Sequence, residues 1–196
     1  MRHWKSIIGI SLLLLTSILL SLTTSSLLPH KTLGWQRYDD QKYNYTIKYP
    51  VDWKVIETPQ SGLSTVATFI PSRDSDTTKL ELGQECCGYV DKFGTNQDVT
   101  KLYPNESFRD YVMRVYRGDL SLEEATLEVK KGTFTKLGDY MVFKRVFNTE
   151  NTVNSAHYIL LINKTPYIAS LYVGESTSTD YISIVETMLS TLKPNN

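Results

Sequence analysis

Residues 43 to 49 alternate between two kinds of side chain. One face carries Tyr43, Tyr45, Ile47 and Tyr49, and the other carries Asn44, Thr46 and Lys48. A period of two is typical of a β-strand with one buried side and one side in water. Pro50 lacks the N–H that a β-ladder needs, so the strand is predicted to end there.

Similar runs rich in β-branched and aromatic residues predict nine further strands. They are 35–38, 53–57, 64–70, 79–85, 125–130, 133–137, 140–147, 155–162 and 167–173. The Asn163-Lys164-Thr165-Pro166 stretch lies between two of these runs and is predicted to be a hairpin loop. Consecutive antiparallel strands follow from such short connections.

Two segments show the three-to-four spacing of an amphipathic helix instead. The closing segment carries Tyr181, Ile184, Val185, Met188, Leu189 and Leu192, and the middle segment, about 106–117, carries Phe108, Tyr111, Val112, Val115 and Tyr116. Ser178 or Thr179 is expected to cap the closing helix, and Asn105 the middle one. Because each helix has a single apolar face, both are predicted to cover a sheet. The fold class is therefore α+β, a mainly antiparallel sheet flanked by helices in a layered sandwich.

The N-terminal residues have a different composition. Arg2 and Lys5 precede an uncharged run from residue 6 to residue 29, which is 24 residues long. A spanning helix needs roughly 20 mainly apolar residues, so residues 1–30 are predicted to be a signal peptide or an N-terminal membrane anchor. The rest, residues 31–196, is predicted to form a single extracytoplasmic domain. It is either secreted or tethered through residues 6–28 if the segment is not cleaved.

The charge balance makes nucleic acid an unsuitable partner. The chain has 21 basic and 21 acidic residues, and loss of Arg2 and Lys5 leaves 19 basic against 21 acidic. A surface that follows phosphates needs a basic excess or a basic stripe. The sequence also lacks the glycine-rich motifs of nucleotide-binding loops, so no cofactor is predicted.

One short motif and several elements resemble a known family. The strand at 43–49 leads into the run Tyr49-Pro50-Val51-Asp52-Trp53-Lys54, and the chain also has the mid-chain helix, the strand around 138–143, the hairpin near 155–173 and the helix that ends near Pro194. Over most of 35–194 the chain resembles the PsbP-like family, relatives of an extrinsic oxygen-evolving subunit of photosystem II. The resemblance implies an α/β/α sandwich that acts by binding. It also implies an accessory or assembly protein rather than an enzyme, with no metal or catalytic residue carried over.

Cys86 and Cys87 are the only cysteines, and they are adjacent. Neighbouring Cα atoms lie about 3.8 Å apart, whereas ordinary disulfides need roughly 4.4 to 6.8 Å, so a bridge between the two would be strained and easily reduced. Such a bridge would suit a redox switch. Two reduced thiols, or one cysteine bridged to a second chain, are the alternatives.

His157 and three acidic clusters are the remaining candidates for chemistry. His157 shares a strand face with Ser155, Ile159 and Leu161, and no Gly-x-Ser-x-Gly nucleophile motif accompanies it, so a structural role is expected over a hydrolase site. The acidic clusters are Asp39-Asp40, Asp74-Ser75-Asp76 and Glu123-Glu124. None has the spacing of a calcium loop, and no metal site is predicted.

The segment from 86 to 105 is the best candidate for a binding role. It is 20 residues long without a clear pattern, which exceeds most connections in compact domains. It contains Tyr89, Phe93 and Tyr103, and aromatic side chains on a long loop can anchor a partner. Packing back onto a satellite core is the alternative. The predicted function is a non-enzymatic accessory or binding domain that contacts a protein or small ligand, and the alternative function is a thiol redox protein.

Overall fold

The computed structural model describes most of the chain after residue 31. The described residues are 32–59, 65–84, 88–90, 96–98, 100–118, 120–149, 152–162, 164–174 and 180–195. The chain divides into two compact units, Met1–Gly34 and Trp35–Asn196. The predicted signal peptide or anchor, residues 1–30, lies outside the described residues. Within the described ranges, no helix has the length and apolar character that crossing a membrane requires.

The second unit contains, within its described residues, twelve strands and three helices. The strands are β1 Gln36–Asp40, β2 Tyr45–Tyr49, β3 Trp53–Pro59, β4 Thr65–Pro71, β5 Lys79–Gln84, β6 Gly88–Val90, β7 Asn96–Asp98, β8 Thr133–Leu137, β9 Tyr140–Thr149, β10 Thr152–Ile162, β11 Thr165–Tyr172 and β12 Lys193–Pro194. The helices are α1 Phe108–Arg117, α2 Leu122–Lys130 and α3 Tyr181–Ser190.

The strands form three separate sheets. The largest has seven strands in the order β3-β4-β5-β11-β10-β9-β8, and every neighbouring pair is antiparallel. A smaller sheet has the order β1-β2-β12, and β6 pairs only with β7. Strands β3 and β8 are therefore the two edges of the large sheet.

One face of the large sheet packs against α3 and the small sheet. Alternate residues of β10 point into this main core, namely Ala156, Tyr158, Leu160 and Ile162. The apolar face predicted for residues 43–49 enters the same core through β2, where Tyr45 and Ile47 are fully buried. Helix α3 contributes Val185 and Met188, at the spacing that predicted it.

The opposite face of the large sheet is covered by α1 and α2. A second cluster joins Tyr111 and Val112 of α1 and Val129 of α2 to Phe143 and Ile159 of the sheet. The molecule therefore has helices on both faces of a mainly antiparallel sheet. This confirms the predicted α+β class.

Residues 125–130 are helical, so the strand predicted there is wrong. Ser121 accepts a hydrogen bond from the backbone N–H of Glu124, and the Glu124 carboxylate accepts one from the backbone N–H of Ser121. This capping box satisfies two N–H groups that a helix start leaves open. Ala125 and Val129 are then buried four residues apart on one helical face. Ser121 and Glu124, which precede the apolar residues, are the sequence signal that favours a helix here over a strand.

The other helix ends differ slightly from expectation. Ser107 caps α1 by accepting from Asp110 N, whereas Asn105, the predicted cap, has φ of 66° in the preceding turn. Asp180 caps α3 by accepting from Ser183 N. The predicted caps Ser178 and Thr179 lie outside the described residues.

The described C-terminal residues complete the small sheet. Lys193 and Pro194 pair with Thr46 and Tyr45 of β2. Asn195 donates two further hydrogen bonds, from its N–H to Asn44 O at 2.9 Å and from its side-chain amide to Asp40 O at 3.2 Å. The last part of the domain thus holds its first hairpin in place.

Candidate binding surface

Part of the segment from 86 to 105 is regular, although no structure was predicted for it. Tyr89 pairs with Gln97, and Gly88 and Val90 pair with Asp98 and Asn96, which gives the β6–β7 hairpin. Strands of three residues are too short to show an alternating pattern. The hairpin is followed by a loop that leads into α1.

Arg114 of α1 joins this segment to the helix. Its guanidinium donates from Nε to Glu106 Oε1 and from Nη2 to Glu106 Oε2, both at 2.7 Å. It also donates to the backbone oxygens of Asp98 and, at 3.0 Å, Lys101. We call Arg114 and these partners the Arg114 anchor. Only 11% of the Arg114 side chain and 10% of the Glu106 side chain are exposed, so the ion pair is largely shielded from water.

Tyr103 completes the Arg114 anchor. Its ring centroid lies 4.0 Å from Cζ of Arg114, and its hydroxyl accepts a hydrogen bond from Asp98 N at 3.1 Å. Its own N–H donates to Glu106 Oε2 at 2.9 Å. The half-buried side chain is therefore engaged within the chain, where it fixes the end of β7 to the helix.

The Arg114 guanidinium keeps its charge over the physiological pH range. Burial disfavours the charge on Arg114, but the hydrogen bonds from Arg114 to Glu106 outweigh this effect and raise the pKa of Arg114. Hydrogen bonds from the Thr100 hydroxyl, from Lys101 and from the Thr100 N–H lower the pKa of Asp98 to about 2. Arg114 and Asp98 thus keep their charges near neutral pH.

The other candidate residues of this segment lie wholly or partly outside the described residues. Tyr89 has its backbone in β6, and its side chain lies outside what the structure describes. Phe93, Cys86 and Cys87 lie outside the described residues. The aromatic contacts and the redox alternative therefore stay predictions.

His157 lies on the α1–α2 face of β10 among aromatic rings. Its ring centroid is 5.0 Å from that of Phe147 and 6.4 Å from that of Tyr172, and Arg145 is its direct neighbour on β9. Burial lowers the pKa of His157, and the positive charge of Arg145 lowers it further. This environment favours a neutral imidazole packed between rings.

Acidification is expected to destabilise the protein through His157. Because the pKa of His157 is lower in the folded protein than its ordinary value of 6.5, the unfolded chain binds the proton more readily. The contribution of neutral His157 to the free energy of unfolding is complete above the unfolded pKa of 6.5, and it decreases as the pH falls below that value. Measured by urea unfolding between about pH 8 and 5, the free energy of unfolding should fall more steeply with decreasing pH for the wild type than for His157→Gln. Equal slopes for the two proteins would contradict this role.

The acidic clusters have structural partners in the fold. Asp40 is buried and accepts from Lys42 N and Tyr43 N at 2.9 and 2.8 Å, which closes the turn between β1 and β2. Asp74 accepts from the Tyr181 hydroxyl at 2.9 Å, and Glu124 belongs to the capping box of α2. Within the described ranges, His, Cys, Asp and Glu form no group of three or more that could hold a metal ion.

The comparisons with known proteins concern the fold. The sequence matches no protein-family model and no curated protein sequence. The solution structure of cyanobacterial PsbP (CyanoP) from Synechocystis is similar over 82% of this chain and 92% of that chain, with 14% sequence identity and a TM-score of 0.51. A crystal structure from Bacteroides thetaiotaomicron also matches, with 14% identity over 82% of this chain and a TM-score of 0.47. This chain spans about half the length of that protein, 48%. The structure thus has a PsbP-like fold.

Proposed function

We propose that the protein is an extracytoplasmic accessory domain that binds a protein or small ligand and does not act as an enzyme. The PsbP-like fold supports this proposal, since the expected role of such a domain is contact with a partner. The binding surface comprises the segment from 86 to 105 and the adjoining sheet edge. The uncharged N-terminal run supports export, with membrane tethering if residues 1–30 are retained.

The Arg114 anchor is the observation that carries the proposal. A segment that displays binding residues loses less entropy on binding when it is already fixed in place. The buried ion pair and the two backbone acceptors hold β7 and the following loop against α1. The β6–β7 hairpin is thus presented on a rigid support.

Tyr89 and Phe93 are the proposed contact residues, and Tyr103 positions them. Tyrosine and phenylalanine provide a large contact area with few rotatable bonds, and a few such residues supply most of the free energy at many interfaces. Tyr103 fixes the segment through its ring contact with Arg114 and its hydrogen bond from Asp98 N. Its replacement would therefore alter the position of the hairpin.

Quantitative affinity capture from native membranes tests the proposal. The full-length protein is compared with a Tyr89→Ser, Phe93→Ser double variant and with Tyr172→Ser, whose target side chain is 37% exposed on another part of the sheet. We expect the double variant to retain about tenfold less of the partner and Tyr172→Ser to match the wild type. Equal retention by all three proteins would reject the hairpin as the binding surface. Mass spectrometry of the N-terminus in the same sample reports whether residues 1–30 remain attached.

A further inference from the structure

Among the described residues, strand β8 pairs only with β9, so its other backbone edge is open. Leu137 and Tyr140 are paired across the two-residue turn Gly138-Asp139, and such a pair exchanges hydrogen bonds in a hairpin of this length. Bonding alternates along the ladder, so the N–H and C=O groups of Phe134 and Lys136 point away from β9. No other described residue forms a hydrogen bond with these four groups. The edge can therefore accept a further strand.

A groove runs beside this edge towards α3. It has a volume of about 330 Å³ and lies between Thr133, Thr135 and Leu137 of β8 and Glu186 of α3, with Lys144 and Val146 of β9 completing it. A Cβ added at Gly138 would overlap the backbone oxygen of Ser190, so the end of α3 lies close to the β8–β9 turn. Side chains of an added strand that point to this face would enter the groove.

The charges along the edge favour an acidic occupant. Lys136 is exposed on the α1 face of β8, and Arg109 lies beside it with Cζ 4.9 Å from the ring centroid of Phe134. Lys131 and Lys144 line the groove on the α3 face, and each is paired with a carboxylate, Glu128 and Glu186 respectively. Among the described residues, Lys136 and Arg109 form no ion pair. The α1 face of the edge thus offers cations to a strand that carries carboxylates.

We propose that the β8 edge binds an extended peptide with acidic side chains at alternate positions, as an eighth strand of the large sheet. The peptide backbone pairs with Phe134 and Lys136, and its carboxylates meet Lys136 and Arg109. This inference deepens the proposed function, and it rests on that function only in taking the domain to be a binding module. A second copy of the chain does not fit, because antiparallel pairing of two β8 edges would bring their lysines together.

Three short fluorescein-labelled peptides test the proposal by fluorescence anisotropy with the full-length protein. The first alternates Thr and Glu, the second alternates Thr and Lys, and the third is the first peptide with every Glu N-methylated on its backbone nitrogen. We expect only the first to bind well, because the Glu residues lie opposite Phe134 and Lys136 and their N-methylation removes the N–H groups that pair with β8 while it keeps the carboxylates. Equal binding of the first and third peptides would reduce the interaction to charge alone and overturn the proposal. Equal binding of the first and second, or no binding, would also overturn it.

Two variants of one residue separate the backbone from the charge. Lys136→Pro removes the outward N–H and keeps the bonds that Thr135 and Leu137 make to β9, whereas Lys136→Ala removes only the charge. We expect Lys136→Pro to weaken binding of the Thr–Glu peptide about tenfold more than Lys136→Ala does. Lys54→Ala, on the opposite edge strand, is the matched control and should bind as the wild type. Thermal unfolding confirms that each variant is folded, and equal affinities of all variants would overturn the proposal.

The hairpin and the edge can fail independently. The Tyr89→Ser, Phe93→Ser variant should bind the Thr–Glu peptide normally, because its substitutions lie outside β8. If the Thr–Glu peptide does not bind, but the double variant still loses the captured partner, the β8 edge is rejected and the β6–β7 hairpin is kept. Peptide binding with unaltered capture by the double variant would reject the hairpin and keep the edge.

Discussion

Replacement of Arg114 by methionine is expected to lower the free energy of unfolding by about 3 to 5 kcal/mol. The substitution leaves the Glu106 carboxylate, whose side chain is 10% exposed, without its bidentate partner. It also removes the donors to the backbone oxygens of Asp98 and Lys101. Urea unfolding at neutral pH measures the loss. Limited proteolysis should show faster cleavage between residues 85 and 105, because the hairpin loses its attachment to α1.

Two control variants show whether burial is the cause. Arg114→Met combined with Glu106→Gln removes both charges and should recover part of the loss, since no carboxylate is then left buried alone. Arg37→Met breaks an exposed pair, in which the side chains of Arg37 and Asp39 are 63% and 41% exposed, and should lower stability by less than about 1 kcal/mol. Similar losses for Arg114→Met and Arg37→Met would show that the Arg114 anchor contributes no more than a surface contact.

Substitution of Gly138 by alanine is the second large effect. Gly138 has φ of +58° in the β8–β9 turn, and a Cβ there would overlap the backbone oxygen of Ser190 at the end of α3. A side chain therefore meets both an unfavourable backbone conformation and a rigid neighbour. We expect Gly138→Ala to lower the free energy of unfolding by about 3 kcal/mol or more, measured by urea unfolding.

Gly118 provides a matched control for the backbone contribution. It has φ of +31°, and nothing lies within 4 Å of a Cβ built at this position. Gly118→Ala should lower stability by only about 1 to 2 kcal/mol, because it carries the conformational strain without the overlap. If both alanine variants lose the same stability, contact between the turn and α3 does not constrain residue 138.

The sequence predicted those elements whose pattern is local and repeated. The alternation in 43–49 identified β2 and its buried face, and the helical spacing of Tyr181, Val185 and Met188 identified α3. These signals arise because one face of an element is buried along its whole length. The α+β class followed from the order of such elements and is confirmed.

Weaker patterns were decided by contacts that periodicity does not show. Helix α2 has Ala125 and Val129 on its buried face, too few to separate a short helix from a strand without its capping box. The β6–β7 hairpin has three residues in each strand, and its position depends on Arg114, which is 16 residues from Asp98. A hydrogen bond between residues so far apart in the sequence forms only when the chain is folded, so it leaves no periodic signal in the sequence.

The candidate surface stays a prediction, since the sequence selects the segment 86–105 only by its length and its aromatic residues. Tyr103 of that segment is predicted to contact a partner, and the structure places its ring against Arg114, while its hydroxyl accepts a hydrogen bond from Asp98 N. The open edge at Phe134 and Lys136 was not predicted, because whether a strand has one neighbour or two depends on the sheet order.

The pairing of β12 with β2 determines when the small sheet can form during biosynthesis. Asn44 and Asn195 are 151 positions apart and share a hydrogen bond from the Asn44 amide to the Asn195 oxygen. The hairpin β1–β2 therefore leaves the ribosome long before its third strand is made, and it exposes apolar tyrosines meanwhile. Contacts of such long sequence separation slow folding and prolong the exposure of aggregation-prone intermediates. The small sheet of a nascent chain thus closes late, and until β12 is made Tyr45 and Ile47 are exposed to chaperones.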